Sequence, residues 1–251
     1  MLKTLVSAAA VVAMSAGVAN AAVLYSTSFE APTFNATLNG VDGWVTQGGG
    51  SVGSTAGLAH TGTRYATSST LNTSGQWQWQ GAIAQDAASI AAAPIIKASV
   101  WMQHGATGTP TALRRGGLQM YSFDAATVFA ALYIQSDGSV TVTDGLAQSF
   151  SLAAGSVNAN AYNKIEIELN YITQMATFKI NDVALILPPG GGAFVGADFG
   201  DADFFSTRGA GTAGGATVRY DDYVVEQNIP APGAFALLGL GGLIAGRRRR
   251  A

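Results

Sequence analysis

The sequence predicts an all-β protein, an antiparallel β-sandwich or barrel, and three observations carry that expectation. Apolar and polar residues alternate with a period of two over short stretches, as in Gln76-Trp-Gln-Trp-Gln80. Turn formers punctuate the chain throughout, glycine alone supplying 32 of 251 residues, which suits many short strands rather than long helices. Helical periodicity is almost absent between the two termini.

Each element follows from its local pattern. Val23 to Phe29 reads as a first strand, followed by a turn-rich stretch over 31–57 with Trp44 as its one hydrophobic anchor. Arg64 to Thr67 is a short strand, and Gln76 to Gln85 a longer one. On the latter, Trp77 and Trp79 share a face with Ile83, so they are expected in the core with the glutamines outside. Ile95 to Gln103 and Gly117 to Phe123 come next. In the first of these Ile96, Ala98, Val100 and Met102 point inward, leaving Lys97, Ser99, Trp101 and Gln103 on the other face.

The second half is plainer. Val128 to Gln135 and Ser139 to Thr143 flank Ser136-Asp137-Gly138, a hairpin signal because glycine supplies the positive φ of the turn. Tyr162 to Tyr171 and Met175 to Ile180 pair through Ile172-Thr173-Gln174. Asn181-Asp182 turns the chain into Val183 to Leu187, which Pro188-Pro189 ends. The glycine-rich stretches around Gly191 and Gly211 read as loops, and Thr217 to Gln227 is the last strand. A dozen or so short strands at this spacing form a sandwich or barrel, with no internal repeat and no second domain.

The first strand ending Phe29-Glu30, an early Trp44, the pair Tyr162-Asn-Lys-Ile-Glu-Ile-Glu-Leu-Asn-Tyr171 with Ala176-Thr-Phe-Lys-Ile-Asn-Asp182, and the closing Tyr220-Asp-Asp-Tyr-Val-Val225 resemble the concanavalin A-like jelly rolls, laminin-G-type domains included. The resemblance implies a last strand lying beside the first. It also implies a structural calcium ion between them, with Glu30 and Asp222 as oxygen ligands. The alternative for both residues is that they are solvated strand-end charges.

The termini read as processing segments. Lys3, the apolar Leu5 to Val18 and Ala19-Asn20-Ala21 form a signal peptide over 1–21, cut by signal peptidase before Ala22. At the other end, residues 229–251 contain Pro230-Ala231-Pro232, an apolar run from Ala234 to Ala245 and Arg247-Arg248-Arg249-Arg250. That run is about a dozen residues, roughly 18 Å as a helix, short of the ~30 Å hydrocarbon core. Its arginines suit a cytoplasmic flank. This order of parts resembles the PEP-CTERM sorting signal, with Pro-Ala-Pro standing where the family usually has Pro-Glu-Pro. The resemblance implies an exosortase-type membrane protease as a partner and transient inner-membrane anchoring through a short transmembrane helix. It further implies delivery to the envelope or extracellular matrix of a Gram-negative-type bacterium that makes exopolysaccharide. An ordinary tail anchor is the alternative.

Between these segments lies a β-sandwich domain over 22–228, large enough for a real core. The chain holds 13 Lys+Arg against 15 Asp+Glu, and four of those arginines stand in the tail. The domain is therefore acidic and carries no basic patch, which excludes nucleic acid as its partner. It has no cysteine, which removes disulfides, thiolate nucleophiles and zinc–thiolate sites.

No catalytic constellation is legible, and the chain does not read as an enzyme. Glu166 and Glu168 share one strand face, as in the Glu-x-Asp-x-(x)-Glu strand of laminarinase-type glycosidases on the same fold. Here, however, the second position is glutamate and Asn170 stands where the further acid belongs, so an ordinary polar-out strand accounts for both. His60 and His104 have no sequence neighbours that suggest a triad or a metal site. Sugar binding is the better-motivated site. Alternation turns Val128, Ala130, Leu132 and Ile134 inward and leaves Phe129, Tyr133 and Gln135 outside, where with Trp101 and Tyr121 they would form a glycan-stacking face. The alternative is that loops cover that face.

The expectation is thus an exported structural or adhesive protein; a carbohydrate-binding module for exopolysaccharide and a glycoside hydrolase are the alternatives. The export reading is tested on protein recovered from its native host. The intact mass should lack the residues before Ala22 and those after about Pro232; a mass retaining Arg247–Arg250 would leave a tail-anchored protein instead.

Overall fold

The structure, a computed structural model, describes residues 21–47, 50–55, 57–69, 76–105, 114–124, 127–208 and 217–228. The signal helix and the C-terminal apolar helix, with Pro230 to Pro232 and Arg247 to Arg250, lie outside the described residues. Among those described, no helix is long and apolar enough to cross a membrane.

The strands are β1 (Ala21–Thr27), β2 (Trp44–Gln47), β3 (Gly50–Gly53), β4 (Tyr65–Ser69) and β5 (Gln76–Gln80), followed by a six-residue helix, α1 (Ala87–Ala92). Then come β6 (Ile95–His104), β7 (Arg114–Tyr121), β8 (Val128–Gln135), β9 (Val140–Asp144) and β10 (Ser149–Leu152). The chain continues through β11 (Asn163–Asn170), β12 (Met175–Ile180), β13 (Val183–Ala184), β14 (Ala202–Arg208) and β15 (Thr217–Asn228). They form two antiparallel sheets, an all-β sandwich. One runs β13-β12-β11-β6-β15-β4-β3, with β1 also on β15; the other runs β10-β9-β8-β7-β14-β5-β2.

The expected hairpins are present, β8 with β9 around Gly138 at φ 78° and β11 with β12. Five elements were not legible: β2, β3, α1, β10 and β14. The strand expected over Val183 to Leu187 shrinks to the two residues of β13.

The two inner faces meet in one core. Alternation on β6 and β11 is as expected, with Ile96, Ala98, Val100, Ile165, Ile167 and Leu169 fully buried. At one end of the core an aromatic cluster joins the sheets. Phe204 stacks on Tyr220 at 4.5 Å and lies 5.0 Å from Trp44, which in turn is 5.1 Å from Tyr223. Tyr220 and Tyr223 belong to β15, yet their hydroxyls donate to the carbonyls of Phe205 (2.6 Å) and Ala202 (2.7 Å) on β14 of the facing sheet. A buried tyrosine needs such a partner, and here it fixes one sheet against the other.

Strand β15 has two different neighbours along one edge. Its first half pairs with β4 and its second half with β1, so first and last strands do lie side by side. Between the halves sits a bulge at Asp221-Asp222, with Asp222 at φ 47°. The loop before β4 straps this junction. The backbone N–H groups of His60 and Thr61 donate to Asp221 Oδ2 at 2.8 and 3.0 Å. Asp222 accepts from Thr61 Oγ1 at 2.6 Å, and its other oxygen lies 2.7 Å from His60 Nδ1. A few residues on, Thr63 and Arg64 N–H groups donate to Glu30 Oε1 at 2.8 and 2.7 Å, while Thr63 Oγ1 donates to Oε2. Against partial desolvation, those backbone donors hold the Glu30 carboxyl below the usual carboxylate range.

Glu30 and Asp222, the expected calcium ligands, are thus occupied by N–H and O–H donors of a single loop that ties the first strand to the last. A calcium ion would have to displace those donors. Among the described residues no group of three or more His, Cys, Asp and Glu is disposed to hold a metal. The calcium expectation is checked by the melting temperature in chelator and in excess calcium: an unchanged value would leave Glu30 and Asp222 to the loop alone. A native-state ion at a hundred times its Kd would add about 2.7 kcal/mol and raise it by several degrees.

Candidate functional site

The outer face of the seven-stranded sheet is set by the parity of β14. Because Phe204 faces inward, Asp203 and Phe205 face outward. Strand β5 is registered on it with Gln78 opposite Phe204 and Trp77 opposite Phe205, and β2 places Trp44 opposite Gln80 and Val45 opposite Trp79. Cross-strand partners share a face, so Gln78 and Gln80 go into the interior at 0% and 1% exposure. Trp77 and Trp79, expected in the core, stand half-buried on the outside instead. Gln80 settles by bonding the Asp42 carbonyl and accepting from Ala82 N–H. The Gln78 amide has no protein partner, which costs about 1–3 kcal/mol.

On the next strand, β7 sets Gln119 opposite Asp203 and Gly117 opposite Phe205. A Cβ at Gly117 would come within 2.1 Å of the Leu132 carbonyl oxygen and 2.7 Å of the Tyr133 ring, so glycine is what leaves room for that ring. Phe205 lies 5.2 Å from Trp77 and 5.6 Å from Tyr133, forming a small apolar cluster outside the main core. Gln119 cross-links this floor. Its Oε1 accepts from Trp77 Nε1 at 3.0 Å and from the Tyr121 hydroxyl at 2.6 Å, and its amide donates to the Tyr133 hydroxyl. Above it opens a cleft of about 310 Å³ lined by Gln47, Trp77, Trp79, Tyr121, Asp201 and Asp203.

The two carboxyls give the cleft its charge. Asp203 is only 5% exposed and lines the cleft beside Asp201. The Oδ1 atom of each is buried without a partner. Burial drives both carboxyls up, and at Asp203 the neighbouring Asp201 charge drives it further, well above the usual carboxylate range. Charge on one carboxyl therefore opposes charge on the other, so protonation of the pair is favoured. Tyr121 and Tyr223 are the other titratable groups nearby, both pushed up chiefly by burial. Among the described residues no lysine, arginine or histidine lines the cleft.

The four residues expected to form one stacking face are divided by the fold, and Tyr121 alone lines the cleft. Phe129 is a correction. It is 1% exposed and packs on Phe194 at 5.4 Å, because a bulge opposite Met120 and Tyr121 shifts the alternation of β8 and turns Val128 outward in its place. Tyr133 does face outward but is 7% exposed, under the Arg115 guanidinium 5.2 Å from its ring. Trp101 faces outward from the other sheet, paired with Lys164 and Asp221, and His60 stacks on it at 3.8 Å. That histidine does meet an aspartate, Asp222, which no local pattern indicated. His104 is buried, its ring held neutral chiefly by desolvation, with Nε2 on the Ile134 carbonyl at 2.9 Å. Glu166 is paired with Lys179 at 2.7 Å, and Glu168 stands on the same outer face.

A carboxyl raised in the folded state favours folding below its unfolded pKa, and that contribution is lost as pH rises through the folded value. Asp203 and Asp201 act in this sense, as does Asp221, pushed to about 6 by burial. Urea unfolding is expected to show stability declining from about pH 4 upward. Asp203→Asn should flatten that decline, exceeding the parent at neutral pH and matching it near pH 4; a variant less stable throughout would contradict the favoured protonation of the pair.

No family model matches the chain, and no curated protein matches it in sequence. Among solved structures it is similar to an endo-β-1,4-glucuronan lyase from the fungus Trichoderma reesei, with a TM-score of 0.54 at 12% identity over 81% of this chain and 95% of the other. It is also similar to a carbohydrate esterase from Shiga toxin-encoding bacteriophage phi24B (TM-score 0.53, 18% identity, 83% and 99% covered). A third is a protein of galectin-like fold from Bacillus subtilis (0.50, 12%, 84% and 99%). At these identities the likeness is one of fold: the chain shares a jelly-roll sandwich with galectin-like domains, on which enzymes and non-enzymes alike are built.

Proposed function

We propose that this protein is an exported carbohydrate-binding β-sandwich that holds polysaccharide in the cleft over β5, β14 and β7. The observation that carries the reading is the disposition of Trp77, Trp79 and Tyr121 around a buried carboxyl pair. Sugar rings present C–H groups to indole and phenol faces and hydroxyls to carboxyl oxygens, and this wall supplies both. Two structural neighbours, a glucuronan lyase and a carbohydrate esterase, agree with the ligand class without assigning it. Binding is the reading that the aromatic faces and carboxyl acceptors of the cleft support.

The signal peptide and the Pro230-Ala231-Pro232 and Arg247–Arg250 tail support delivery through signal peptidase and an exosortase-type protease to the envelope or extracellular matrix. There a structural or adhesive role would follow from gripping the polysaccharide.

The reading is tested by titrating the full chain with a panel of defined oligosaccharides. Trp79→Ala should weaken the best ligand by about tenfold or more, as for an aromatic anchor of roughly 2 kcal/mol. Trp101→Ala, on the opposite sheet and capped by His60, should bind like the parent. Equal loss in both variants, or loss only in Trp101→Ala, would move the site off this cleft.

A further inference from the structure

We infer that the cleft is built for an amine-bearing polysaccharide, a chain of hexosamine units with free ammonium groups, rather than for neutral or uronate sugars. This rests on the glycan reading of the cleft and names its ligand class.

The argument is a balance of donors, acceptors and charge. Two buried carboxyl oxygens, Asp201 Oδ1 and Asp203 Oδ1, have no partner in the protein. Asp203, 5% exposed, lines the cleft it would serve. The hydroxyl of Tyr121 and the indole N–H of Trp77 are spent on Gln119 Oε1, so the donors the wall keeps are the Gln47 amide and the Trp79 indole N–H, both neutral. Against those neutral donors the wall sets two carboxyl groups, and no cationic side chain lines it among the described residues. A uronate or sulfate would meet uncompensated repulsion. A neutral sugar would fill the acceptors one hydroxyl at a time and leave the charge unpaired. An ammonium group brings three donors and the matching charge at once. The indole and phenol faces that stack the pyranose also attract a cation by their quadrupole. Binding an ammonium group makes ionisation of the second carboxyl favourable, so a proton is released from the pair as the ligand arrives.

The test compares three short β-1,4-linked probes on the full-length chain at about pH 6, where hexosamine amines are charged. They are a glucosamine oligomer, its N-acetylated counterpart and a glucuronic acid oligomer, followed by calorimetry in buffers of differing ionisation enthalpy. The glucosamine oligomer is expected to bind at least tenfold more tightly than the other two and to release a proton. In the Asp201→Asn/Asp203→Asn double variant, which removes the burial penalty of the pair, that preference and the proton release should both vanish while weak binding of the N-acetylated oligomer survives. The inference is overturned if the N-acetylated or uronate oligomer binds as tightly as the amine in the parent protein. It is equally overturned if a lysine oligomer matches the glucosamine oligomer, since the cleft would then select a cation and not a sugar. Failure of all three sugars to bind would instead overturn the glycan reading on which the inference stands.

Discussion

The inward burial of Phe204 is the constraint from which both faces of this protein follow. Its ring sits among Phe29, Trp44, Tyr220 and Tyr223, and the two tyrosines bond back to the carbonyls on either side of it. A strand has only two faces, so fixing one residue fixes every other on it. Asp203 and Phe205 are forced outward, the register carries the same parity to Trp77 and Trp79, and the cleft appears where the core residue dictates. Its aromatic wall and its carboxyl pair are consequences of how the sandwich closes.

The two sheets divide the remaining work. The eight-stranded sheet spends its outer polar groups on itself. Glu166 is paired with Lys179, Lys97 with Glu226, Trp101 lies under His60, and the loop over 60–64 fills the carboxylates of Asp221, Asp222 and Glu30. The seven-stranded sheet does the opposite around β14, where carboxyl oxygens are buried and left without protein partners. A surface whose polar groups are satisfied has little to offer a ligand. One whose acceptors are sealed from water gains when a ligand supplies donors.

Much of this was readable from the residues. Period-two alternation identified β6, β8, β11 and β12, with the inward face of β6 and, from Ala130 onward, that of β8, and the Ser136-Asp137-Gly138 turn set the pairing of β8 with β9. What alternation does not supply is its own phase when both sets of residues are plausible insiders. In Gln76-Trp-Gln-Trp-Gln80 hydrophobicity alone turns the tryptophans inward, whereas registry to Phe204 and Trp44, larger claims on the same core, turns them out. The other failure was Phe129, the extra residue of a bulge at the start of β8, which puts Val128 out of phase with the rest of the strand. Strand β14 itself was hidden by the glycine-rich stretches on both sides of it, and with it went Asp203, one of the residues that define the cleft.

Buried side-chain atoms without a partner fall on both sheets among the described residues, at His104 and Asn228 as well as at Gln78, Asp201 and Asp203; of these, Asp201 and Asp203 line the cleft, whereas Gln78 faces the interior. Stability alone would favour apolar residues of similar size at each position, since a buried unpaired acid is among the costliest choices a sequence can make. A buried aspartate whose carboxyl is pushed up, beside a second and below two outward indoles, costs folding free energy. On the proposed function, a ligand that donates hydrogen bonds in the cleft recovers that cost at the point of binding.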